Sequence, residues 1–400
     1  MLHRITSQFK KETCPYCFDY FHIKDTPFRC SSVSKHCPPI SDPIYTKIWG
    51  DTRPMGRVLA KKNKFSDRFT DSIRCTDCNN ESYKRLCPHC HMELPHTTGK
   101  YKNHIFAVVG GKDSGKSHYI AVLIEQIKKR IGPNMNLLLT AENDFTVDRY
   151  NKDFYDPIFQ KGKTIGTTVS ATTDQKVQLP MVYSLRFTED SLFEKNKIKE
   201  YMTLVFFDTA GEDLNSEDSI SAVNKYIYRS DGIILLIDPL QLMSVRNRLP
   251  DDTPMPVKMS ETGDILTRIT RLIEKSNKLK PMDKVKIPLA IAFSKFDAVL
   301  PLVDSQFQLR ASANHDNGFD NGDFEAVNSE MMSLLDKWNG QDIIQLAQTR
   351  YEQYGFFGLS ALGCNPHDSH QIDTVLPSRI EDPFLWLLAN NGLIKKVKHS

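Results

Sequence analysis

One run of eight residues has the composition and spacing of a loop that binds phosphate. It is Gly110-Gly111-Lys112-Asp113-Ser114-Gly115-Lys116-Ser117, which fits the pattern G-x-x-x-x-G-K-S. Its glycines let the backbone wrap an anion, so that successive N–H groups point at the oxygens. We expect Lys116 to contact the β- and γ-phosphates of a nucleotide and the Ser117 hydroxyl to bind Mg²⁺. The other expected nucleotide contacts in this stretch are Gly110, Lys112, Asp113, Ser114, Gly115 and His118.

A second motif follows a long apolar run further along the chain. Tyr201 to Phe207 predicts a buried strand, which ends in Asp208-Thr209-Ala210-Gly211-Glu212-Asp213. The Asp208 carboxylate is expected to orient Mg²⁺ through water, and the Gly211 N–H is expected to bond the γ-phosphate. The pattern D-x-x-G is common by itself. Behind a phosphate loop and after such a strand, it predicts a triphosphate site.

Between these two motifs lies a stretch rich in threonine, from Lys161 to Thr173. A threonine hydroxyl in a loop ahead of a strand can sense Mg²⁺ and the γ-phosphate. Thr167 or Thr168 is the favoured residue for this role. A plain polar loop is the alternative for either residue.

A third group of residues is suited to recognising a guanine base. The apolar run Ile287 to Phe293 leads into Ser294-Lys295-Phe296-Asp297. The Asp297 carboxylate can accept hydrogen bonds from guanine N1–H and the N2 amine, while the aliphatic part of Lys295 covers the base. Further on, Ser360-Ala361-Leu362 follows another short apolar run and offers a backbone contact for the guanine O6. GTP is therefore the expected substrate.

Cysteine spacing near the start of the chain predicts zinc. Eight of the nine cysteines lie within the first 90 residues. The later four have the spacing Cys-x₂-Cys-x₈-Cys-x₂-Cys, and C-x-x-C turns give the tetrahedral thiolate geometry of Zn²⁺. In chain order the eight divide into two closed sites, which would be structural. These two sets are Cys14, Cys17, Cys30 and Cys37, and Cys75, Cys78, Cys87 and Cys90.

Other pairings of these ligands remain open. His36, His89 or His91 is an alternative ligand, and the first C-x-x-C pair can combine with a later one. Disulfides are the less favoured reading, because we expect a cytoplasmic chain without a secretory signal or a membrane span.

Charge is distributed unevenly along the chain. Residues 1–103 contain 18 Lys and Arg against 10 Asp and Glu, a balance of +8, whereas the whole chain carries +3. A basic region of this kind can bind nucleic acid or an anionic surface. However, each zinc site with four thiolates carries a charge of about −2, which offsets about half of the excess. A structural role for these cations is therefore favoured over nucleic-acid binding, and residues 41–71 are the favoured contact surface of the region.

The elements that must position these motifs follow from the hydrophobic pattern. We expect a zinc-binding module at 1–95, a linker at 96–102 and a nucleotide domain at 103–400, with a mobile insertion near 301–323. The predicted strands are Ile105–Val109, Met135–Thr140, Val177–Phe187, Tyr201–Phe207, Gly232–Asp238, Ile287–Phe293 and Phe356–Leu359, and the predicted helices are His118–Arg130, Phe145–Phe159, Ile265–Ile273 and Pro383–Leu393.

Taken together, the phosphate loop, D-T-A-G, S-K-F-D and S-A-L resemble the translation-factor-related (TRAFAC-class) P-loop GTPases over residues 103–393. With cysteine motifs in front, the chain is similar to the bacterial double-GTPase family, which is associated with multi-protein conflict systems. The resemblance implies an α/β fold with a mixed, mainly parallel sheet between helices, preceded by a small zinc ribbon. It also implies hydrolysis of GTP to GDP and phosphate with Mg²⁺, and protein partners such as conflict-system effectors. Because the chain has one phosphate loop, a second GTPase would be another chain or another copy.

Two residues depart from the family pattern. Ser294 stands where the guanine motif has Asn or Thr, which weakens base specificity. Glu212 stands where Ras-like enzymes have the glutamine that orients water, so we expect slow intrinsic hydrolysis. The leading hypothesis is a regulatory GTPase with a zinc adaptor module. The alternatives are a P-loop ATPase of a conflict or repair system and a nucleotide-loaded scaffold that does not hydrolyse.

Overall fold

The structure is a computed structural model that describes residues 11–32, 35, 37–61, 70–101, 103–166, 179–189, 197–207, 221–250, 253, 255, 262–366 and 370–398. A four-stranded parallel sheet forms its centre, with the strands in the order β15-β13-β12-β8. Its three neighbouring strands β8, β12 and β13 are buried along their whole length. This explains their uninterrupted apolar sequences, as parallel strands are covered on both faces. The four strands are β8 (Phe106–Gly110), β12 (Gly232–Ile237), β13 (Leu289–Phe293) and β15 (Tyr354–Gly358).

A second sheet is antiparallel and has three strands in the order β11-β10-β9. The predicted strand pair is confirmed, because β10 and β11 run antiparallel from Met181↔Phe206 to Glu189↔Lys197, with one irregularity at Phe187/Thr188. The predicted extra strand near residue 135 is also confirmed and pairs with β10. These strands are β9 (Leu137–Ala141), β10 (Met181–Glu189) and β11 (Lys197–Phe206).

Helices cover both faces of the parallel sheet, so the predicted fold class is confirmed. Ile233 and Leu235 of β12 face one hydrophobic cluster, and Ile234 and Leu236 face the other, as the two-residue period of a strand requires. The second cluster is closed by α2 and α10, and the first by α5, α7, α8 and α9. The helices of this region are α2 (Lys116–Gln126), α3 (Gly132–Met135), α4 (Asp144–Arg149), α5 (Ser221–Tyr228), α6 (Met243–Arg246), α7 (Thr262–Asn277), α8 (Asn321–Lys337), α9 (Gln341–Arg350) and α10 (Asp382–Asn390).

Shorter helical turns extend two of these helices and fill loops. The turns Ile127–Ile131 and Tyr150–Gln160 have π-helical hydrogen bonds and continue α2 and α4. The helices predicted around residues 118–130, 145–159, 265–273 and 383–393 are thus observed. The 3₁₀-helical turns of the described ranges are Ile23–Asp25, Pro239–Gln241, Phe296–Leu302 and Gln308–Arg310.

The cysteine-rich region is built from short strands and one helix. β3 pairs antiparallel with both β4 and β7. Helix α1 is capped by the Asp42 carboxylate, which accepts from the Ile44 and Tyr45 N–H groups, and ends at Gly50 with φ 68°. The elements are β1 (Lys11–Thr13), β2 (Tyr20–His22), β3 (Phe28–Arg29), α1 (Pro43–Trp49), β4 (Val58–Leu59), β5 (Ile73–Arg74), β6 (Glu81–Ser82) and β7 (Lys84–Arg85).

Residues 301–323 were expected to form a mobile surface insertion. In the structure, Leu309 and Phe319 are buried. The Arg379 guanidinium donates to Asp323 and to the Gln308 carbonyl, each at 2.8 Å. Two short strands, β14 (Phe319–Asp320) and β16 (Lys396–Val397), pair this segment with the C-terminal end of the chain. These contacts attach the segment to the body, and its mobility stays a prediction.

Candidate nucleotide and zinc sites

The phosphate loop joins the buried strand β8 to helix α2. Gly110 is the last residue of β8, and a Cβ there would lie 2.5 Å from both the Leu236 oxygen and Ser114 Oγ, so a side chain has no room. Asp113 and Gly115 have φ of 60° and 83°, the left-handed region that a tight turn into a helix requires. The local chain therefore folds as the sequence pattern predicts.

The side chains of Lys116, Ser114 and Ser117 are buried in the phosphate loop. The Lys116 ammonium donates to the carbonyl oxygens of Gly110 and Gly111, both at 3.1 Å. Ser114 and Ser117 are 3% and 9% exposed. Ser114 Oγ has no hydrogen-bond partner among the described residues. A buried cation and a buried hydroxyl on a glycine-rich turn suit a phosphate anion and its Mg²⁺.

The S-K-F-D motif lies at the same edge of the sheet, directly after β13. The Ser294 hydroxyl donates to the Ile237 carbonyl at 3.1 Å, and the Ser294 N–H donates to the same oxygen at 2.8 Å. Lys295 has φ 50° and begins the turn that contains Asp297. The serine that replaces Asn or Thr thus still ties this loop to the neighbouring strand.

Asp238 was not predicted as a site residue, although it lies within the predicted strand Gly232–Asp238. Its carboxylate is almost fully buried at the end of β12 and accepts from the Leu240 N–H at 2.9 Å. It also pairs with the Lys295 ammonium at 2.7 Å. The pair fixes the lysine whose aliphatic part is expected to cover the base. An acid directly after a fully apolar strand was the signal that identified Asp208, and the same signal was present here.

The structure brings the S-K-F-D and S-A-L motifs together. The Ser360 hydroxyl donates to Asp297 Oδ1 at 2.5 Å and accepts from the Gly363 N–H at 2.8 Å. The Phe296 N–H donates to the Leu359 carbonyl at 3.0 Å. Ala361 and Leu362 follow in the same turn, half-buried. One oxygen of the proposed base-reading carboxylate is thereby held in place by the proposed O6 loop.

His118 connects the phosphate loop to the threonine-rich stretch. Its Nε2 accepts a hydrogen bond from the Ile165 N–H at 3.1 Å. Desolvation of the ring, together with the charge of Lys295, lowers the pKa of His118 to about 4. The ring is therefore neutral at pH 7, as an acceptor nitrogen must be. This hydrogen bond positions the backbone at Ile165, two residues before Thr167.

Several predicted site residues lie outside the described part of the chain. These are Thr167, Thr168, Asp208, Gly211 and Glu212, together with His36 from the cysteine region. The described chain reaches Gly166 before the first group and Phe207 before the second. Their proposed roles rest on the sequence.

The eight N-terminal cysteines form two groups of four, but the pairing in chain order is wrong. The groups are Cys14, Cys17, Cys87 and Cys90, the inner zinc site, and Cys30, Cys37, Cys75 and Cys78, the outer zinc site. The open alternative, in which the first C-x-x-C pair joins a later one, is confirmed. The reason is the antiparallel pairing of β3 with β7. It places the chain before β3 beside the chain after β7, and the chain after β3 beside the chain before β7.

Sulfur spacing in both groups fits Zn²⁺. Sγ–Sγ distances are 3.8 Å for Cys14–Cys90 and Cys17–Cys87. In the outer site they are 3.6 to 3.8 Å. A tetrahedron with Zn–S bonds of about 2.3 Å has edges of about 3.8 Å, whereas a disulfide requires about 2.05 Å. Both sites therefore have the dimensions of closed zinc centres.

Three C-x-x-C turns share one backbone form. The residue after the second cysteine has a left-handed φ in each, namely 60° at Phe18, 58° at Asn79 and 56° at His91. Two of the three candidate histidine ligands have other partners. His89 Nε2 lies 2.9 Å from the Tyr20 carbonyl, and His91 Nδ1 lies 2.9 Å from the Asp42 carboxylate. Among the described residues, four sulfur atoms thus make up each site.

We predict two zinc ions per chain. Cys75→Ser should reduce the content to one, because only the outer site loses a ligand and a closed site needs four. Elemental analysis of purified protein measures this directly. Loss of both ions in the variant, or fewer than two in the unaltered chain, would contradict the division into two sites.

The described part of the predicted contact surface at residues 41–71 borders a cleft of mixed charge. Arg53 lines a cleft of about 1190 Å³ between the cysteine-rich region and the start of α4. Lys84 and Lys100 line it as well, but so do Glu142 and Asp148. Nucleic acid requires a continuous basic face, and this mixed lining does not provide one.

No helix in the described ranges has both the length and the hydrophobicity to cross a bilayer.

Comparison with protein families matches residues 104–340 to the family described as Double-GTPase 2. The match covers more than half of the chain and includes the phosphate loop and the S-K-F-D motif.

The individual proteins that this chain resembles share a quarter or less of its residues. The "Putative ESX-1 scaffolding and assembly protein SaeC" of Mycolicibacterium smegmatis is 25% identical over 332 residues, which are 77% of this chain and 80% of that protein. The Arl6 small GTPase of Trypanosoma brucei is 13% identical, with 74% of this chain and 100% of that chain covered and a TM-score of 0.31. The GTP-bound GTPase-like domain of Ski7 from S. cerevisiae is 15% identical, with 73% and 51% covered and a TM-score of 0.31.

Proposed function

The chain belongs to the Double-GTPase 2 family, and from that premise we propose that it is a regulatory GTP switch that acts on protein partners. The observation that carries the proposal is the meeting of three motifs and Asp238 at one edge of the sheet. The carboxyl ends of β8, β12, β13 and β15 deliver the phosphate loop, Asp238, S-K-F-D and S-A-L to that edge. In α/β sheets this edge is where ligands bind.

Roles for the phosphate-binding residues follow from their chemistry. Lys116 would neutralise the β- and γ-phosphates, and the loop N–H groups would bond their oxygens. Ser117 would ligate Mg²⁺ directly, and Asp208 would do so through water. Mg²⁺ supplies neutralisation of the charge that develops on the phosphate oxygens. Gly211 and either Thr167 or Thr168 would contact the γ-phosphate, so that the segments carrying them respond to its loss.

Base recognition would depend on Asp297. With Oδ1 held by the Ser360 hydroxyl, the carboxylate would accept from guanine N1–H and the N2 amine. Lys295, fixed by Asp238, would cover one face of the base. The backbone N–H of Ala361 or Leu362 would serve the O6 atom, since the Ser360 N–H already donates to the Ser378 carbonyl at 3.0 Å. An adenine offers no matching donors at these two positions, so both contacts of the carboxylate with the base would be lost.

Hydrolysis by the isolated chain is proposed to be slow. Glu212 occupies the place of a water-orienting glutamine, and an ionised carboxylate adds negative charge beside a triphosphate. A partner that contributes an arginine would then accelerate turnover. The scaffolding and assembly description of the SaeC protein agrees with protein partners. A second GTPase, or the effectors of a bacterial conflict system, are the partners we propose, with nucleic acid less favoured and the cytoplasm as the location.

The test compares GTP with ATP on the purified full chain with Mg²⁺ and zinc. We expect GTP to bind at least about 100-fold more tightly than ATP, and single-turnover hydrolysis to be slow but measurable. Equal affinity for ATP would instead support a P-loop ATPase. Tight GTP binding without any hydrolysis would support the nucleotide-loaded scaffold.

A further inference from the structure

The two zinc sites differ in what they pack against. The side chains of the outer site form a small separate cluster, with Leu59 beside them. Those of the inner site belong to the hydrophobic core of the parallel sheet, in one cluster with Ile105, Phe207 and Tyr226. Cys14, Cys87 and Cys90 are fully buried there. The inner site is therefore part of the body that carries the nucleotide motifs, across the proposed linker at 96–102.

Phe18 makes the central contact between the inner zinc site and the body that carries the nucleotide motifs. It follows Cys17 directly, with the left-handed φ of the C-x-x-C turn. Its ring centroid lies 5.7 Å from that of Phe207 and 5.2 Å from that of Tyr226, and these two rings meet edge to face at 5.5 Å. Phe207 is the residue before Asp208, and Tyr226 lies on α5, which begins shortly after the D-T-A-G-E-D motif. A shift of the Phe18 ring would therefore displace packed side chains on both sides of that motif.

Asp19 adds an ionic connection to the same helix. Its carboxylate lies 2.7 Å from the Lys225 ammonium and 3.2 Å from the Arg229 guanidinium. Arg229 also donates to the Phe18 carbonyl and covers the ring of Tyr20 at 4.3 Å. These charges are at most 29% exposed, so water screens them incompletely. The inner C-x-x-C turn and α5 are thus held together by charge as well as by packing.

Tyr226 extends this connection to the phosphate loop. Its hydroxyl donates to the Phe106 carbonyl at 2.8 Å and accepts from the N–H groups of Val108 at 3.1 Å and Phe207 at 3.4 Å. A hydroxyl has one donor and two acceptor positions, so all are used. Within the described ranges, direct backbone pairing between the β8 and β11 segments is limited to a bridge at Asn103↔Thr203, where the His104 N–H donates to the Thr203 carbonyl at 3.2 Å. The hydroxyl joins the strand that leads to the phosphate loop with the strand that leads to Asp208.

We propose that the inner zinc site is an allosteric metal site of the GTPase, coupled to the nucleotide through Phe18, Asp19 and Tyr226. The inference rests on the proposed function. Exchange of GTP for GDP changes the contacts of the D-x-x-G segment in GTPases, and here both flanks of that segment contact the inner site. Because coupling between two sites is reciprocal, the nucleotide must change the affinity for zinc, and zinc must change the affinity for the nucleotide. Such differences in affinity lie mostly in the dissociation rate. The outer site lacks these contacts and is uncoupled.

Zinc release from the full-length chain tests the proposal. The protein is loaded with GDP or with the non-hydrolysable analogue guanosine 5′-(β,γ-imido)triphosphate, and release is followed with the chromophoric chelator 4-(2-pyridylazo)resorcinol. We expect one zinc to leave at a rate that does not depend on the nucleotide. The other should leave at rates that differ by about five-fold or more between the two states. Cys75→Ser should remove the first phase and keep the second.

Two variants identify the path. Tyr226→Phe retains the ring but removes the hydroxyl, and Asp19→Asn removes the ionic connection. In each, the nucleotide dependence of the inner phase should fall below about two-fold, while both zinc ions remain bound. Matched controls are Tyr351→Phe, a buried hydroxyl that bonds Thr270 in the same core, and Asp51→Asn, an ion pair within the cysteine-rich region. Both controls should keep the wild-type dependence.

The outcomes separate this inference from the proposed function. Nucleotide binding is measured in the same samples with a fluorescent GDP analogue. A chain that binds no guanine nucleotide would overturn the proposed function itself. A chain that binds GTP and GDP but releases both zinc ions at the same rates in either state would overturn the coupling alone. Unchanged dependence in either Tyr226→Phe or Asp19→Asn, measured in a variant that folds and binds both zinc ions, would overturn the assigned path.

Discussion

Lys116→Ala should lose at least about 100-fold in affinity for GTP, because a charge-assisted hydrogen bond contributes about 1.5–3 kcal/mol and Lys116 is placed to make two of them. The ammonium already lies in the loop, bonded to the Gly110 and Gly111 carbonyls. Little side-chain entropy is then lost when phosphate binds. Alanine removes the two contacts with phosphate and the positive charge of the Lys116 ammonium. Titration with a fluorescent GTP analogue measures the effect.

Lys129→Ala is the matched control for this prediction. Lys129 lies in the continuation of the same helix, its side chain is 69% exposed, and it pairs with Glu125 four residues earlier. Its loss should change GTP affinity less than two-fold or so, since surface pairs contribute little. Thermal melting of both variants checks the fold. If Lys116→Ala still bound GTP within a few-fold of the wild type, the phosphate-loop assignment would be wrong.

Asp297→Asn should reverse the preference between guanine and xanthine nucleotides. Aspartate only accepts hydrogen bonds, which suits guanine N1–H and its N2 amine. Asparagine donates through its NH₂ group, and xanthine has a carbonyl where guanine has the amine. Because the Ser360 hydroxyl donates to Oδ1, the amide oxygen of the variant should take that position and leave the NH₂ group toward the base. GTP affinity should fall roughly 100-fold or more, while XTP affinity rises.

Competition between GTP, XTP and ATP for one fluorescent nucleotide provides the measurement. Asp304→Asn is the control, because that carboxylate is exposed and accepts from the Gln306 N–H in the loop after the S-K-F-D turn. It should retain the wild-type order of affinities. A GTP preference that survives in Asp297→Asn would show that Asp297 does not read the base.

The sequence alone predicted those parts of the site that are continuous in the chain. The turn from Gly110 to Ser117 depends on its own glycines and on the strand and helix beside it, so its pattern is complete in eight residues. Asp297 and Ser360 are far apart in sequence. Each follows an apolar strand, however, and parallel strands end at the same edge, which is why their meeting was predictable.

Features that depend on pairing between distant segments were not predictable in the same way. Chain order suggested that neighbouring cysteines share a metal, but the register Phe28↔Arg85 decides which pairs meet, and two-residue strands leave no recognisable pattern. Tyr226 belongs to none of the motifs that the sequence shows. Its importance comes from three backbone groups, two in β8 and one in Phe207 directly after β11, and no local pattern encodes such a contact.

The nested arrangement of the cysteines also sets the order in which the metal ligands emerge during synthesis. The inner site spans a longer stretch of chain than the outer one, since Cys14 and Cys90 are 76 positions apart. All four outer ligands leave the ribosome before Cys87, so the outer site can close first. The inner ligands are complete before Phe106, where β8 begins. A metal-bound turn carrying Phe18 is then available as a surface on which Phe207 and Tyr226 pack as they emerge, before the sheet that depends on them has been made.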